Sequence, residues 1–81
     1  MADELDEAVE FHERYGAHLK EMRDFFSRSR VDLKQRYGSN SKAVQRFDQL
    51  YRAFERFRNE LDERACAELP DQLQARKIYY G

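Results

Sequence analysis

His12 and Cys66 are the two side chains of this sequence whose pairing would carry chemistry. A thiol beside an imidazole can form a nucleophile or half of a metal site. The chain brings them together if it folds back about Gly38–Ser41, because facing residues then have numbers summing to about 78. Glu13 and Glu63 fall nearby in that register. There is only one cysteine, and no Glu-x-x-His pair of the di-iron bundle type. The expected roles are therefore plain ones: a seam histidine with a hydrogen-bond partner, and a small flanking cysteine. His18 and Glu21 stand one turn apart and would need further ligands to hold a metal, so they read as a surface pair. No metal and no cofactor is expected.

Cations offer a second chemistry. Arg58 projects into the middle of an apolar arc, where a charge must be paired or must reach water along its own stem. Glu13, Glu21 and Asp24 are the acids within reach of a bridge, and an arc left open at Arg58 for a partner is the alternative. Arg23, Arg28, Arg30, Lys34, Arg36, Lys42 and Arg46 flank Gly38–Ser41 against Asp24, Asp32 and Asp48. Residues 1–13 carry six acids and no base, whereas residues 14–58 carry twelve bases and five acids. The net charge of −1 thus hides a dipolar chain. An Arg-rich end suits phosphates, so nucleic acid is one partner class and protein the other. Tyr79 and Tyr80 serve either as a docking tail or as packing against the rest of the chain.

These groups need elements to place them. Ser41–Leu69 contains no Gly and no Pro. At about 100° per residue, Val44, Phe47, Leu50, Tyr51, Phe54, Phe57, Leu61, Ala65 and Leu69 fall within one arc of roughly 140°. That is an amphipathic helix whose apolar side needs more than one neighbour. Upstream, Leu5, His12, Leu19, Phe26 and Leu33 recur every seven residues, with Ala8, Tyr15, Met22 and Ser29 interleaved. Asp3 or Asp6 is placed to cap this first helix. The seam keeps phase across Gly16, which predicts an unbroken helix despite a glycine penalty of about 1 kcal/mol. Gly38 suits a left-handed C-terminal position, and Ser39, Asn40 or Ser41 the next cap. Pro70 ends the second helix and, with Asp71, can open a short third one.

The expected fold is all-α and a single domain: a helix over about 3–37, a loop at 38–41, a helix over about 41–69 and a short C-terminal element at 70–80. Phe11, His18 and Phe25 form a second line on the first helix that a hairpin alone leaves uncovered. The sequence therefore predicts either a three-helix bundle or a homodimer forming a four-helix bundle. Phe11, Phe25, Arg58, Tyr79 and Tyr80 are the side chains placed to face a partner.

No run of roughly 18 apolar residues is free of charge, so no membrane span is expected. The acidic start lacks the basic, then apolar, pattern of a secretory signal. A cytoplasmic location follows as the expectation, in a host's cytoplasm if a phage encodes the chain. No Gly-rich phosphate loop, zinc spacing or serine-nucleophile elbow is present. The reading is a small non-catalytic helical protein that binds a larger macromolecule, as an accessory subunit or an inhibitor. Nucleic-acid binding by the basic end is the alternative.

Overall fold

The computed structural model describes residues 2–81. Three helices account for nearly all of them: α1 (Ala2–Tyr37), α2 (Lys42–Glu68) and α3 (Gln72–Tyr80). The fold is all-α, and the rod measures 53 × 17 × 16 Å. No helix among the described residues is long and apolar enough to cross a membrane.

Local chemistry sets each boundary. α1 already includes Ala2, so Asp3 and Asp6 lie inside the helix instead of capping it. There Asp3 and Glu4 complement the positive end of the dipole, and Lys34 and Arg36 complement the negative end. Gly38 adopts φ 89°, and its N–H reaches the Lys34 carbonyl at 2.9 Å. That is the single-bond left-handed cap that glycine takes without a Cβ penalty. Ser41 caps α2, its hydroxyl accepting from the Val44 N–H at 3.3 Å. α2 stops at Glu68 because Pro70 forces Leu69 into extended backbone. Pro70 itself stands before the next cap, not at the first position of α3. Asp71 is that cap, its carboxylate accepting from Leu73 N–H at 3.1 Å and Gln74 N–H at 3.2 Å.

α1 and α2 run antiparallel about the Gly38–Ser41 turn, and α3 folds back against both. One core joins the three: Leu19 and Phe26 from α1, Phe54 and Ala65 from α2, Leu69, and Ala75 and Tyr79 from α3. Toward the loop the filling is aromatic, with the Phe26 ring 5.0–5.5 Å from those of Phe47, Tyr51 and Phe54. Such pairs contribute beyond their buried area.

α1 is continuous through Gly16, and the reason lies in α3. A methyl group placed on Gly16 would stand 2.5 Å from the Ile78 carbonyl oxygen and 2.6 Å from its Cγ2. Glycine weakens α1 locally, and in return it lets the α3 backbone approach to contact distance.

Candidate functional site

α3 is held down by polar groups as well as by its apolar underside. His12 is buried, yet both ring nitrogens are satisfied. Nε2 lies 3.2 Å from Glu68 Oε1, and Nδ1 lies 2.7 Å from the Tyr79 hydroxyl. In the neutral imidazole Nε2–H donates to the carboxylate, so Nδ1 accepts from the phenol O–H. His12 has the hydrogen-bond partners that a seam histidine is expected to find. Its hydrogen bonds go to Glu68 and Tyr79, not to Cys66, Glu13 or Glu63. Register explains part of this, since α2 extends to Glu68 at the end where α1 presents His12. α3 supplies the rest.

Carboxylate, imidazole and hydroxyl in a row is the order of a proton relay. Here the hydroxyl is sealed off, with Tyr79 only 2 % exposed. Burial, and then the nearby charges of Glu68 and Asp62, push its pKa up to about 12. That is the opposite of nucleophile activation, which requires easier loss of the proton. The arrangement clamps three helices at one point. Tyr79→Phe should leave His12 Nδ1 buried without a partner, at a cost of about 1–3 kcal/mol. Urea denaturation reads that loss, and an unchanged midpoint would mean the bond adds nothing.

The same phenol gives a pH signature. Folding raises its pKa above the ordinary value of 10.0, so the native state holds this proton more tightly than the unfolded chain. The stabilisation is full below pH 10 and is lost as pH rises through about 12. In an absorbance titration of phenolate, one tyrosine should ionise late and together with loss of α3 helicity.

Tyr80 points elsewhere. Its hydroxyl donates to Asn59 Oδ1, and its ring covers the Arg58 guanidinium at 4.6 Å from the ring centre. The Phe54 ring centre lies 5.6 Å from the same carbon. Arg58 therefore contacts two rings, and it is not bridged to Glu13, Glu21 or Asp24. Cation–π contact takes the place of the carboxylate bridge that was one of the two ways expected to accommodate a mid-arc charge. Arg58 Nε and Asp62 Oδ1 are both buried and find no hydrogen-bond partner among the described residues. Tyr79, Tyr80 and Arg58 are thus engaged in seating α3. Tyr79 in particular is no partner-facing side chain, because α3 folds it into the core.

Phe11 and Phe25 differ from these three. Together with Met22 on α1 and Leu50 and Phe57 on α2, they remain between 40 % and 57 % exposed. The helical step places all five on one side. Phe11, His18 and Phe25 form a line along α1, and His12 and Gly16, which meet α3, lie about 100° or more around it. On α2, Phe57 and Leu50 lie roughly 160–180° from Asn59, which holds Tyr80. α3 covers one face of the hairpin and leaves the opposite face apolar. A shallow hollow lined by His18, Glu21, Met22, Phe25 and Phe26 sits in that face.

The basic residues near the loop do not converge. Arg30 is bound through Nε and Nη2 to Asp48 at 2.8 and 3.2 Å. The Arg30 side-chain hydrogen bond holds the Asp48 carboxyl below its usual range. Arg36 lies over the Tyr37 ring, and Arg46 donates to Gln49. Arg23, Arg28 and Lys42 are exposed and Lys34 half-buried, and the 100° step spreads these side chains around the rod. His18 is exposed and sets its ring edge-on to Tyr15. Among the described residues, no three His, Cys, Asp or Glu side chains gather as a metal-holding group.

The sequence reading missed Glu68 as the partner of His12 and Gly16 as the seat of α3. A small residue in an otherwise unbroken amphipathic helix was the available signal for the second. Compared with known proteins, the chain matches no family model, no curated protein and no solved structure.

Proposed function

We propose that this protein is a non-catalytic helical binding module of the cytoplasm. It docks on a larger protein as an accessory subunit or an inhibitor, through the face that α3 leaves open. The observation that carries this reading is the half-exposure of Phe11, Met22, Phe25, Leu50 and Phe57 together on that face. Scattered exposed apolar residues are ordinary, but a contiguous group of large ones marks an interaction surface. Aromatic and Met side chains are also the types enriched at the centres of protein interfaces. A second copy of this chain is among the proteins that such a face can take. A single cysteine, with no partner for an internal disulfide, supports a reducing compartment.

Capture from cells that natively make the protein tests this. Wild type should recover a protein in fixed stoichiometry, and Phe57→Glu should lose it while keeping its helical spectrum. Equal recovery by both would place binding elsewhere on the molecule. Recovery of nucleic acid, lost steeply as salt rises, would favour the basic loop end instead.

A further inference from the structure

We infer that the groove between α1 and α2, on the α3 side and ahead of the end of α3, is a docking site for an acidic amphipathic helix of a partner protein. This site is separate from the open face on the other side of the hairpin and goes beyond the role proposed for that face.

α3 itself shows what this side of the hairpin takes. It runs back along α2 from Gln72 and stops at Tyr80, whose hydroxyl donates to Asn59. From Asn59 to the start of α2 at Lys42, α3 leaves the groove uncovered for about 25 Å at a rise of roughly 1.5 Å per residue. A hollow of about 190 Å³ opens in this stretch, lined by Phe26, Ser27, Arg30, Phe47 and Tyr51. A cavity of about 150 Å³ admits a benzene ring, so the hollow has room for one aromatic or leucine side chain. Its floor is the aromatic cluster of the core, with Phe47 and Tyr51 half-buried. Half-covered rings in line with a helix already docked are the footing that a second apolar helix face needs.

Charge selects the helix. Most basic residues of the loop end are spread around the rod, but the 100° step puts Arg23, Arg30 and Lys34 of α1, and Arg52 of α2, on the α3 side of this stretch. The acids there are Asp48 and Glu55. Asp48 is already engaged, because Arg30 holds both its oxygens at 2.8 and 3.2 Å. That hydrogen bond is the largest cause of its lowered carboxyl, and the charges of Arg30, Lys34 and Arg52 act in the same direction. Three cations thus surround one carboxylate. Among the described residues, no ion pair takes Arg23, Lys34 or Arg52. The side therefore keeps an excess of positive charge beside an apolar hollow, which favours a partner carrying carboxylates beside its anchor. The open face makes no such choice, since Glu7, Arg14, Glu21 and Arg28 alternate in sign along it. The rings line a hollow that admits one side chain and form no flat platform for stacked bases, so a peptide fits better than a strand of nucleic acid.

Selection from a displayed library of helical peptides about 14 residues long, unbiased in charge, tests this on the intact chain. The peptides recovered should carry Asp or Glu beside an aromatic or leucine anchor. Their binding, read by fluorescence anisotropy, should fall about tenfold with Arg52→Glu. It should fall further with Ser27→Tyr, which fills the hollow without changing the charge. Both positions are exposed on helices, so the melting curve should hold. The Arg52→Glu effect should shrink to about threefold or less at about 0.5 M salt, and Phe57→Glu should leave binding unchanged. Neutral or basic peptides, binding indifferent to Arg52→Glu and Ser27→Tyr, or no peptide recovered would overturn the inference. Peptides lost with Phe57→Glu but kept by Arg52→Glu would place docking on the open face, upholding that reading and overturning this one. A single-stranded oligonucleotide that binds as tightly as the peptides, and is lost with the same two variants, would make phosphate the ligand and overturn the acidic helix.

Discussion

Phe54→Ala is expected to remove about 3–5 kcal/mol of stability, the usual range for truncating a buried phenylalanine. The ring is 5 % exposed and lies where the three helices converge. Its centre is 5.0 Å from that of Phe26 and 6.0 Å from that of Tyr51, and the Arg58 guanidinium rests over it. The cavity would therefore remove several aromatic contacts and one of the two ring contacts of Arg58. A domain of 81 residues holds only about 4–12 kcal/mol in total. A loss of this size should leave a substantial part of the chain unfolded at physiological temperature. Thermal and urea melts measure it, with Leu73→Ala as the control. Leu73 is 76 % exposed and should change stability by no more than about 0.5 kcal/mol. A Phe54→Ala midpoint within a few degrees of wild type would mean that the Phe54 ring is not in the core.

The hairpin was legible because its determinants are local. Ser41–Leu69 has one apolar periodicity and no breaker, and Gly38 and Ser41 are the two residue types that its turn requires. With a turn that short, register follows, and Arg30 meets Asp48 where the fold-back predicts. α3 was less legible, because its seat is made of residues distant in sequence. His12 appears on its own helix as a flaw in an apolar seam. Only the arrival of Tyr79, 67 positions away, gives its second nitrogen a partner. Tyr79 and Tyr80 are adjacent and chemically alike, yet one turn of about 100° sends the first into the core and the second over Arg58. Periodicity within one helix cannot assign those roles, since each is defined by a neighbouring element. The same limit applies to the open face. Phe11 and Phe25 were legible as an uncovered line, but α3 decides which side of the hairpin stays uncovered.

A substitution at Gly16 isolates the contribution of α3 to that division of faces. Gly16→Leu should release α3 from the hairpin while leaving α1 and α2 paired. Two effects compete at this position. Leucine is a far better helix former than glycine, which favours α1 by about 0.5–1 kcal/mol. Against that, even its Cβ would fall 2.5 Å from the Ile78 carbonyl oxygen. The obstructing atom belongs to backbone, so no rotamer change clears it, and the remaining side-chain carbons occupy the space that α3 fills. Losing the seat exposes the Tyr79 ring, and burying a ring of that size is worth about 1.5–3 kcal/mol by itself. It also exchanges the His12–Tyr79 hydrogen bond for bonds to water, a net loss of about 0.5–1.5 kcal/mol. The clash drives α3 off, and because the loss exceeds the local gain in α1 the variant should be less stable than wild type. Hydrogen exchange should then show the nine residues of Gln72–Tyr80 unprotected, and protease should cut near Pro70. Tyr79 should ionise near its ordinary value of 10.0 instead of about 12. Protection retained across α3, with the late-titrating phenol intact, would show that the close approach at Gly16 does not govern its docking. Released α3 also uncovers a second apolar face on the hairpin, so Gly16→Leu should self-associate more readily than wild type.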